Sequence, residues 1–258
     1  MAMKILHFDE INSTNVYLYD KISENNDISD TVVVAAHQTA GRGMDKNRWE
    51  SEAGKNLLFS MALKVNFLEA ENQFKISQAV SVAIVETLQK IINSDKFFIK
   101  WPNDIYYGDK KLAGMLIQNT VEGRMMGVSI IGIGLNVNQI EFSKDIPNPI
   151  SLKQIAGKDF DLENLLNLLT TNIKKSVESL RFEKNQIEIN ETYISKLYRY
   201  RQWADYLYKN KVKSMIINGF DRYGRLILED QSGEEIICDV KELQFFPPSC
   251  RQGSEADV

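Results

Sequence analysis

KLAGMLIQNTVEGRMMGVSIIGIGLNVN, residues 111–138, is the stretch on which the fold turns. Its apolar runs at 112–119 and 126–135 have the length of strands, and VEGR between them is a turn, so the stretch reads as a β-hairpin. A further strand is expected upstream at 97–101, with GDKK as its turn, giving a sheet built from hairpins. TVVVAA at 31–36 and NLLFSMAL at 56–63 are β-branched or apolar almost throughout, as strands covered on both faces are. Helices must supply that cover. Residues 73–92 carry apolar side chains at near-helical spacing over about five turns. Residues 161–182 do the same and open on Asp161 and Asn164, side chains suited to a helix start.

After a polar stretch that ends in YRYRQW (198–203), the pattern changes to short alternating runs at 211–217, 219–228 and 234–240. Asn218-Gly219 and Ser232-Gly233 separate them as turns. The expected organisation is a large unit over 1–205, a small β unit over 206–248 and a loose tail over 249–258.

Bulk properties narrow the class. A chain of 258 residues, 43% hydrophobic and 26% charged, has neither the composition of a disordered segment nor that of a membrane-embedded one. A net charge of -4 argues against broad, charge-driven binding of nucleic acid. Cys238 and Cys250 are too few for a disulfide framework or a zinc site and read as reduced thiols. The start, MAMKILHFDE, reaches acidic residues before any apolar core and so differs from a secretory signal. No apolar run is long enough to span a bilayer, and the cytoplasm is the expected location.

Three stretches could carry chemistry. In TAGRGMDKNRWES (39–51), Gly41 and Gly43 flank Arg42 directly after a strand. Backbone N–H groups and a guanidinium meeting there could hold a phosphate or carboxylate, although a surface loop looks the same in sequence. KWPNDIYYGDKKLAG (100–114) gathers Lys100, Asp104 and Lys111 beside Trp101 and Pro102. One carboxylate suits a hard divalent cation, and an ammonium suits charge developing on a phosphoryl or acyl group; a solvated charged hairpin is the plainer alternative. In GIGLNVNQ (132–139), two glycines in a strand mark either close approach of a ligand or a strand that bulges and ends. STN (13–15) reads equally as a helix cap. No nucleophile stands out: Ser60 lacks a GxSxG elbow, and His7 and His37 lack metal-ligand spacing. The residues alone point to an α/β-type enzyme with an anionic, nucleotide-like ligand, and they do not name the reaction.

Taken together, these stretches resemble the biotin protein ligase (biotin-[acetyl-CoA-carboxylase] ligase) family. STN (13–15), Gln38 with AGRG (40–43), Trp49, GKNL (54–57), KWPND (100–104), KLAG (111–114) and GIGLNVN (132–138) stand in that family's order. The resemblance implies an α+β fold: a mixed or antiparallel sheet covered by helices, of class II synthetase type, followed by a small SH3-like β-barrel. It also implies a two-step ligase reaction. Biotin and MgATP give biotinyl-5'-AMP and pyrophosphate; a lysine of a biotin carboxyl carrier protein domain then attacks the acyl group and releases AMP. No enzyme nucleophile is required.

Carried over by motif, Ser13, Thr14 and Gln38 are implied to hydrogen-bond the ureido end of biotin, with Asn15 and Gly41 in the same biotin set. Arg42 is implied to order its loop over carboxylate and phosphate. Lys111 would contact the biotin carboxyl oxygen and the phosphate, and Gly114 would permit close backbone approach. Asp104 and Asn136 would place Mg²⁺ and the nucleotide, with Asn103, Met44 and Trp49 in the nucleotide set and Trp49 on the closing loop. Lys111, Arg42 and Asp104 form the implied catalytic group.

Two departures stand out. The loop reads GRGM where GRGR is frequent, so Met44 replaces a charged residue that helps retain the adenylate in such members, and looser retention is expected. Bifunctional members begin with a winged helix-turn-helix domain; only residues 1–12 precede STN here, so a repressor role on DNA is expected to be absent. The implied partner is the carrier domain, with no nucleic acid and no membrane, as a monomer or as a homodimer paired edge to edge. The alternatives are a lipoate or octanoate ligase or transferase, a biotin-responsive repressor, and a catalytically inactive biotin-binding module.

Overall fold

The computed structural model describes residues 3–24, 27–44 and 48–246. Cys250 and the expected tail lie outside the described residues. The chain divides into two compact units, Met1–Tyr198 and Arg199–Val258.

In the first unit, β1 (Lys4–Ile11), α1 (Thr14–Ser23) and β2 (Thr31–Gln38) form a β-α-β unit. Its strands run parallel, which requires a crossover that a hairpin cannot make. All further neighbours are antiparallel: β3 (Leu57–Lys64), β7 (Met125–Leu135), β6 (Lys110–Glu122), β5 (Asp104–Tyr107) and β4 (Phe97–Lys100). The sheet order is β1-β2-β3-β7-β6-β5-β4. The β6–β7 hairpin is the one read from residues 111–138, and its register sets Gly114 opposite Gly134 and Leu116 opposite Gly132.

The first seven residues of β3 are all buried, because the sheet is covered on both faces. On one face Leu18 of α1 packs against Val33, Ala62 and Ile130. On the other lies α2 (Phe74–Ile92), whose Ser81 Oγ approaches Met115 Sδ at 3.9 Å. Met115 pairs with Ile133 and so points away from the Leu116–Gly132 pair. A short helix, α3 (Leu152–Ala156), starts with a capping box between Ser151 and Gln154. Asp161 caps α4 (Leu162–Ser179) by accepting the Asn164 N–H at 3.0 Å. Asn172 Nδ2 of α4 donates to Thr87 Oγ1 of α2 at 2.9 Å.

Several elements, α3, β1, β5 and α5 among them, were not read from the sequence. β1 is an edge strand whose charged residues break the apolar pattern. β5 is four residues long and lies inside what looked like a turn. The polar stretch before YRYRQW forms α5 (Glu183–Ser195), which buries only Tyr193 fully and so carries almost no apolar periodicity.

The second unit is an antiparallel sheet of β8 (Trp203–Tyr208), β9 (Lys211–Phe220), β10 (Leu226–Asp230), β11 (Glu235–Cys238) and β12 (Leu243–Phe245) in the order β11-β10-β9-β8-β12. It is compatible with an SH3-like barrel. β8 starts ahead of the 205/206 boundary. The Asn218-Gly219 pair is not a turn. It continues β9, with Gly219 at φ 149° beside a bulge against β10, and Asn218 Nδ2 donates to Glu229 Oε2 at 2.8 Å. Cys238 is a free, buried thiol, its pKa pushed up to about 11 by burial.

Leu88 on α2 is fully buried. Leu88→Ala should cost about 2–5 kcal/mol of stability, read as a lower urea midpoint at constant slope. An unchanged midpoint would show that this helix does not carry the core.

Candidate active site

A cleft of about 150 Å³ opens on the α1 face of the sheet. It exists because three positions there lack side chains. A Cβ on Gly134 would lie 2.3 Å from Trp49 Cε2, one on Gly114 3.0 Å from Trp49 Cζ3, and one on Gly132 2.1 Å from Asn15 Oδ1. The facing glycines of β6 and β7 form a floor for the Trp49 indole, and Gly132 makes room for the Asn15 amide.

One end of the cleft is polar and uncharged. Ser13 is the N-cap residue of α1, yet its side chain makes no capping bond. The Thr14 N–H donates to Gln38 Oε1 at 2.8 Å. Thr14 Oγ1 lies 2.6 Å from Ser60 Oγ, Ser60 donates to Asn15 Oδ1 at 2.5 Å, and Asn15 Nδ2 donates to the Leu116 carbonyl at 3.0 Å. Ser60 is the lone hydroxyl in the buried β3 strand.

The other end is charged. Asp104, 8% exposed, starts β5 opposite Gly114. Lys111 Nζ is 2.8 Å from its Oδ1, and Lys100 Nζ is 3.9 Å from Oδ2. The Lys111 contact is an ion pair without hydrogen-bond alignment, so the buried Oδ1 keeps no hydrogen-bond partner. Asn103 sets this turn by donating from Nδ2 to the Met115 carbonyl at 2.7 Å, while the Met115 N–H donates to the Asn103 carbonyl at 2.9 Å. Arg42 and Arg48 both line the cleft, and their backbones pair as an isolated antiparallel bridge. The Trp49 N–H donates to the Gly41 carbonyl at 3.1 Å, and a Cβ on Gly41 would come within 2.9 Å of the Trp49 carbonyl.

A second cavity, about 320 Å³, shares Arg48, Trp49 and Lys111 with the first. Asn136, Phe142, Ile146 and Pro149 contribute to its wall. Lys111 anchors that wall through its backbone: its N–H donates to the Asn148 carbonyl at 2.7 Å, and its carbonyl accepts from the Ile150 N–H at 3.0 Å. Asn136 Nδ2 donates to the Ile150 carbonyl at 3.1 Å. The two cavities are therefore successive chambers with Lys111, Trp49 and Arg48 at their junction.

The structure gathers Ser13, Thr14, Asn15, Gln38, Arg42, Lys111 and Gly114 on the first chamber. Gly41 shapes the loop behind it. Met44, Asn103 and Asp104 also line the first chamber, whereas Asn136 lines the second, so Asp104 and Asn136 do not share one wall. Sequence reading missed Arg48, Ser60 and the 142–149 segment. Arg48 adjoined Trp49 in a stretch already singled out. Ser60 was weighed only as a nucleophile, although one hydroxyl in an apolar strand was itself a signal.

The chain belongs to the biotin/lipoate A/B protein ligase family, whose model matches residues 7–136. It is 31% identical over 230 residues to the bifunctional ligase/repressor BirA of Escherichia coli (strain K12), covering 85% of this chain and 67% of that one. It is 27% identical over 177 residues to the biotin–[acetyl-CoA-carboxylase] ligase of Mycobacterium tuberculosis, covering 68% of this chain and 64% of that one. Among solved structures, the biotin protein ligase from Aquifex aeolicus in complex with biotin and ATP superposes with a TM-score of 0.75 at 27% identity, over 93% of this chain and 97% of that one.

Gly134→Ala should lift the Trp49 indole off its floor, because the added methyl would collide with the ring. Acrylamide quenching and the emission maximum of Trp49, measured in a background where Trp101 and Trp203 are both Phe, should then shift toward a more exposed indole. An unchanged spectrum would contradict the glycine floor.

Proposed function

We propose that this chain is a biotin–protein ligase that activates biotin as biotinyl-5'-AMP with ATP and transfers it to a lysine of a biotin carboxyl carrier protein domain. The observation that carries this reading is Lys111 at the junction of two chambers of different character. The first chamber takes biotin, with Ser13, Thr14, Asn15 and Gln38 around the ureido group and Gly114 allowing close approach. The second takes the nucleotide, with Trp49, Phe142 and Ile146 offering apolar surface to the base and Asn136 at its edge. Carboxylate and α-phosphate then meet beside Lys111, Arg42 and Arg48.

A biotin carboxylate oxygen attacks the α-phosphorus and pyrophosphate leaves, so the oxygen now bridges acyl carbon and phosphorus. The unprotonated amine of the carrier lysine next attacks the acyl carbon, an amide forms as the nitrogen gives up one proton to solvent, and AMP departs with the bridging oxygen. Both steps build negative charge on oxygen next to fixed cations, which stabilise it. Neither step needs a nucleophile from the chain. Mg²⁺ fits the donor set: Asp104 offers one buried carboxylate whose Oδ1, ion-paired with Lys111, has no hydrogen-bond partner, and this ion commonly takes one or two carboxylates with phosphates and water. Among the described residues no cluster of three His, Cys, Asp or Glu exists, so phosphate oxygens and water would complete the shell, and Asn136, on the other chamber, would act on the nucleotide rather than the ion. When bound, the ion neutralises phosphate charge.

The polar end of the first chamber favours biotin over an aliphatic acid such as lipoate or octanoate, which would leave those buried groups unpaired. Met44 in place of a charged loop residue supports faster escape of the adenylate. The net charge of -4 supports a ligase without a nucleic-acid partner. Among the described residues no helix is long and apolar enough to cross a membrane, and we place the chain in the cytoplasm with its ATP and carrier. The edge strand β1 is the one through which a homodimer would pair, because Ile99 of β4 already bonds the backbone of Lys196 and Tyr198 on its outer side.

Intact-mass spectrometry of a carrier domain incubated with the chain, MgATP and either biotin or lipoate tests this. One biotinyl group should be added, dependent on the acceptor lysine, with no lipoyl product. Lys111→Ala should lower pyrophosphate exchange by about 10²-fold or more with an unchanged circular dichroism spectrum. Lipoylation, or an unchanged exchange rate, would contradict the assignment.

A further inference from the structure

The polar end of the first chamber rests on a hydrogen-bond chain whose direction is fixed from its far end. The Leu116 carbonyl only accepts, so the Asn15 amide, 3.0 Å away, must present Nδ2 to it. Asn15 Oδ1 then faces Ser60 Oγ at 2.5 Å, and an amide oxygen has no proton to give. Ser60 is therefore the donor in that bond. A hydroxyl carries one proton, so the 2.6 Å bond between Ser60 and Thr14 takes its proton from Thr14.

The consequence lies at the cleft. Thr14 Oγ1 has spent its proton on Ser60, so its 3.2 Å approach to Gln38 Oε1 carries none, and it presents lone pairs to a ligand. Gln38 is ordered in the opposite sense. Its Oε1 accepts the Thr14 N–H at 2.8 Å, which leaves Nε2 as the donor end. Ser60 is fully buried and Asn15 6% exposed, so water does not compete for these bonds. Gly132 provides the space in which the Asn15 amide sits.

We propose that Ser60 and Asn15 are positioning residues that lock Thr14 as a hydrogen-bond acceptor. They thereby select acids whose far end pairs N–H donors with a carbonyl acceptor, as a cyclic urea does. This rests on the reading of the first chamber as the biotin site and adds the source of its discrimination. An acid with a purely apolar or sulfur-containing end leaves the Thr14 lone pair and the Gln38 donor unpaired in a buried place, a loss that sites built around hydrogen bonds use to reject analogues.

A double-mutant cycle read by calorimetric titration of biotin into the full chain tests it. Ser60→Ala should weaken biotin about tenfold, Thr14→Val at least as much, and the double variant no more than Thr14→Val alone, because Ser60 acts through Thr14. Ser60→Cys, close in size and a weak donor, should shift affinity in the same direction and replaces the alanine variant if that one does not fold. Wild-type affinity in Ser60→Ala, or losses that add, would overturn the proposal while leaving the biotin site standing. A wild-type chain that does not bind biotin would overturn both.

Discussion

The pairing of β6 with β7 in the register that sets Gly114 against Gly134 is the constraint on which the site depends. Side chains alternate along a strand, so a slip of one residue would turn these glycines to the α2 face and push Ala113 and Ile133 or Leu135 into the cleft. What holds the register is packing on the opposite face. Ala113, Met115, Ile131, Ile133 and Leu135 are all buried there. A hydrophobic layer under α2 thus fixes a side-chain-free floor under α1, and the Trp49 loop and Asn15 amide occupy the space it leaves.

The charged end follows from the same hairpin. Lys111 lies at the start of β6, and Asp104 pairs with Gly114 from β5, so one register places both. A carboxylate this buried needs cations, and it has two. The ion pair in turn holds the Lys111 ammonium between the chambers, while the strand's backbone bonds to residues 148 and 150 tie the second chamber to the first. Positioning and electrostatic stabilisation are what a phosphoryl and acyl transfer without an enzyme nucleophile demands.

Much of this was legible in the sequence. The 111–138 hairpin, the double-covered β3 strand and helices α2 and α4 follow from apolar period, and the stretches holding Arg42, Lys111 and Gly134 followed from glycine and charge placement. Elements whose signal is weak in principle were lost: β5 has four residues, and α5 shows little apolar face. Asn218-Gly219 misled because its turn chemistry was overridden by pairing with β10. Ser60 and Arg48 act through partners far away in the chain, and spacing within a motif cannot reveal those. Segment 142–149 forms a wall through bonds of residues 148 and 150 to Lys111 and Asn136, which lie outside the segment, in the motifs.

The central claim is that the cleft joins a biotin carboxylate oxygen to the α-phosphorus beside Lys111. Biotin labelled with ¹⁸O in both carboxylate oxygens, supplied with MgATP and carrier domain, tests it through mass analysis of the nucleotide product. One ¹⁸O in AMP, with none in pyrophosphate, is the predicted result. Label in orthophosphate or pyrophosphate, or AMP without label, would mean that the acid is activated by a different route and that the two chambers have been misread.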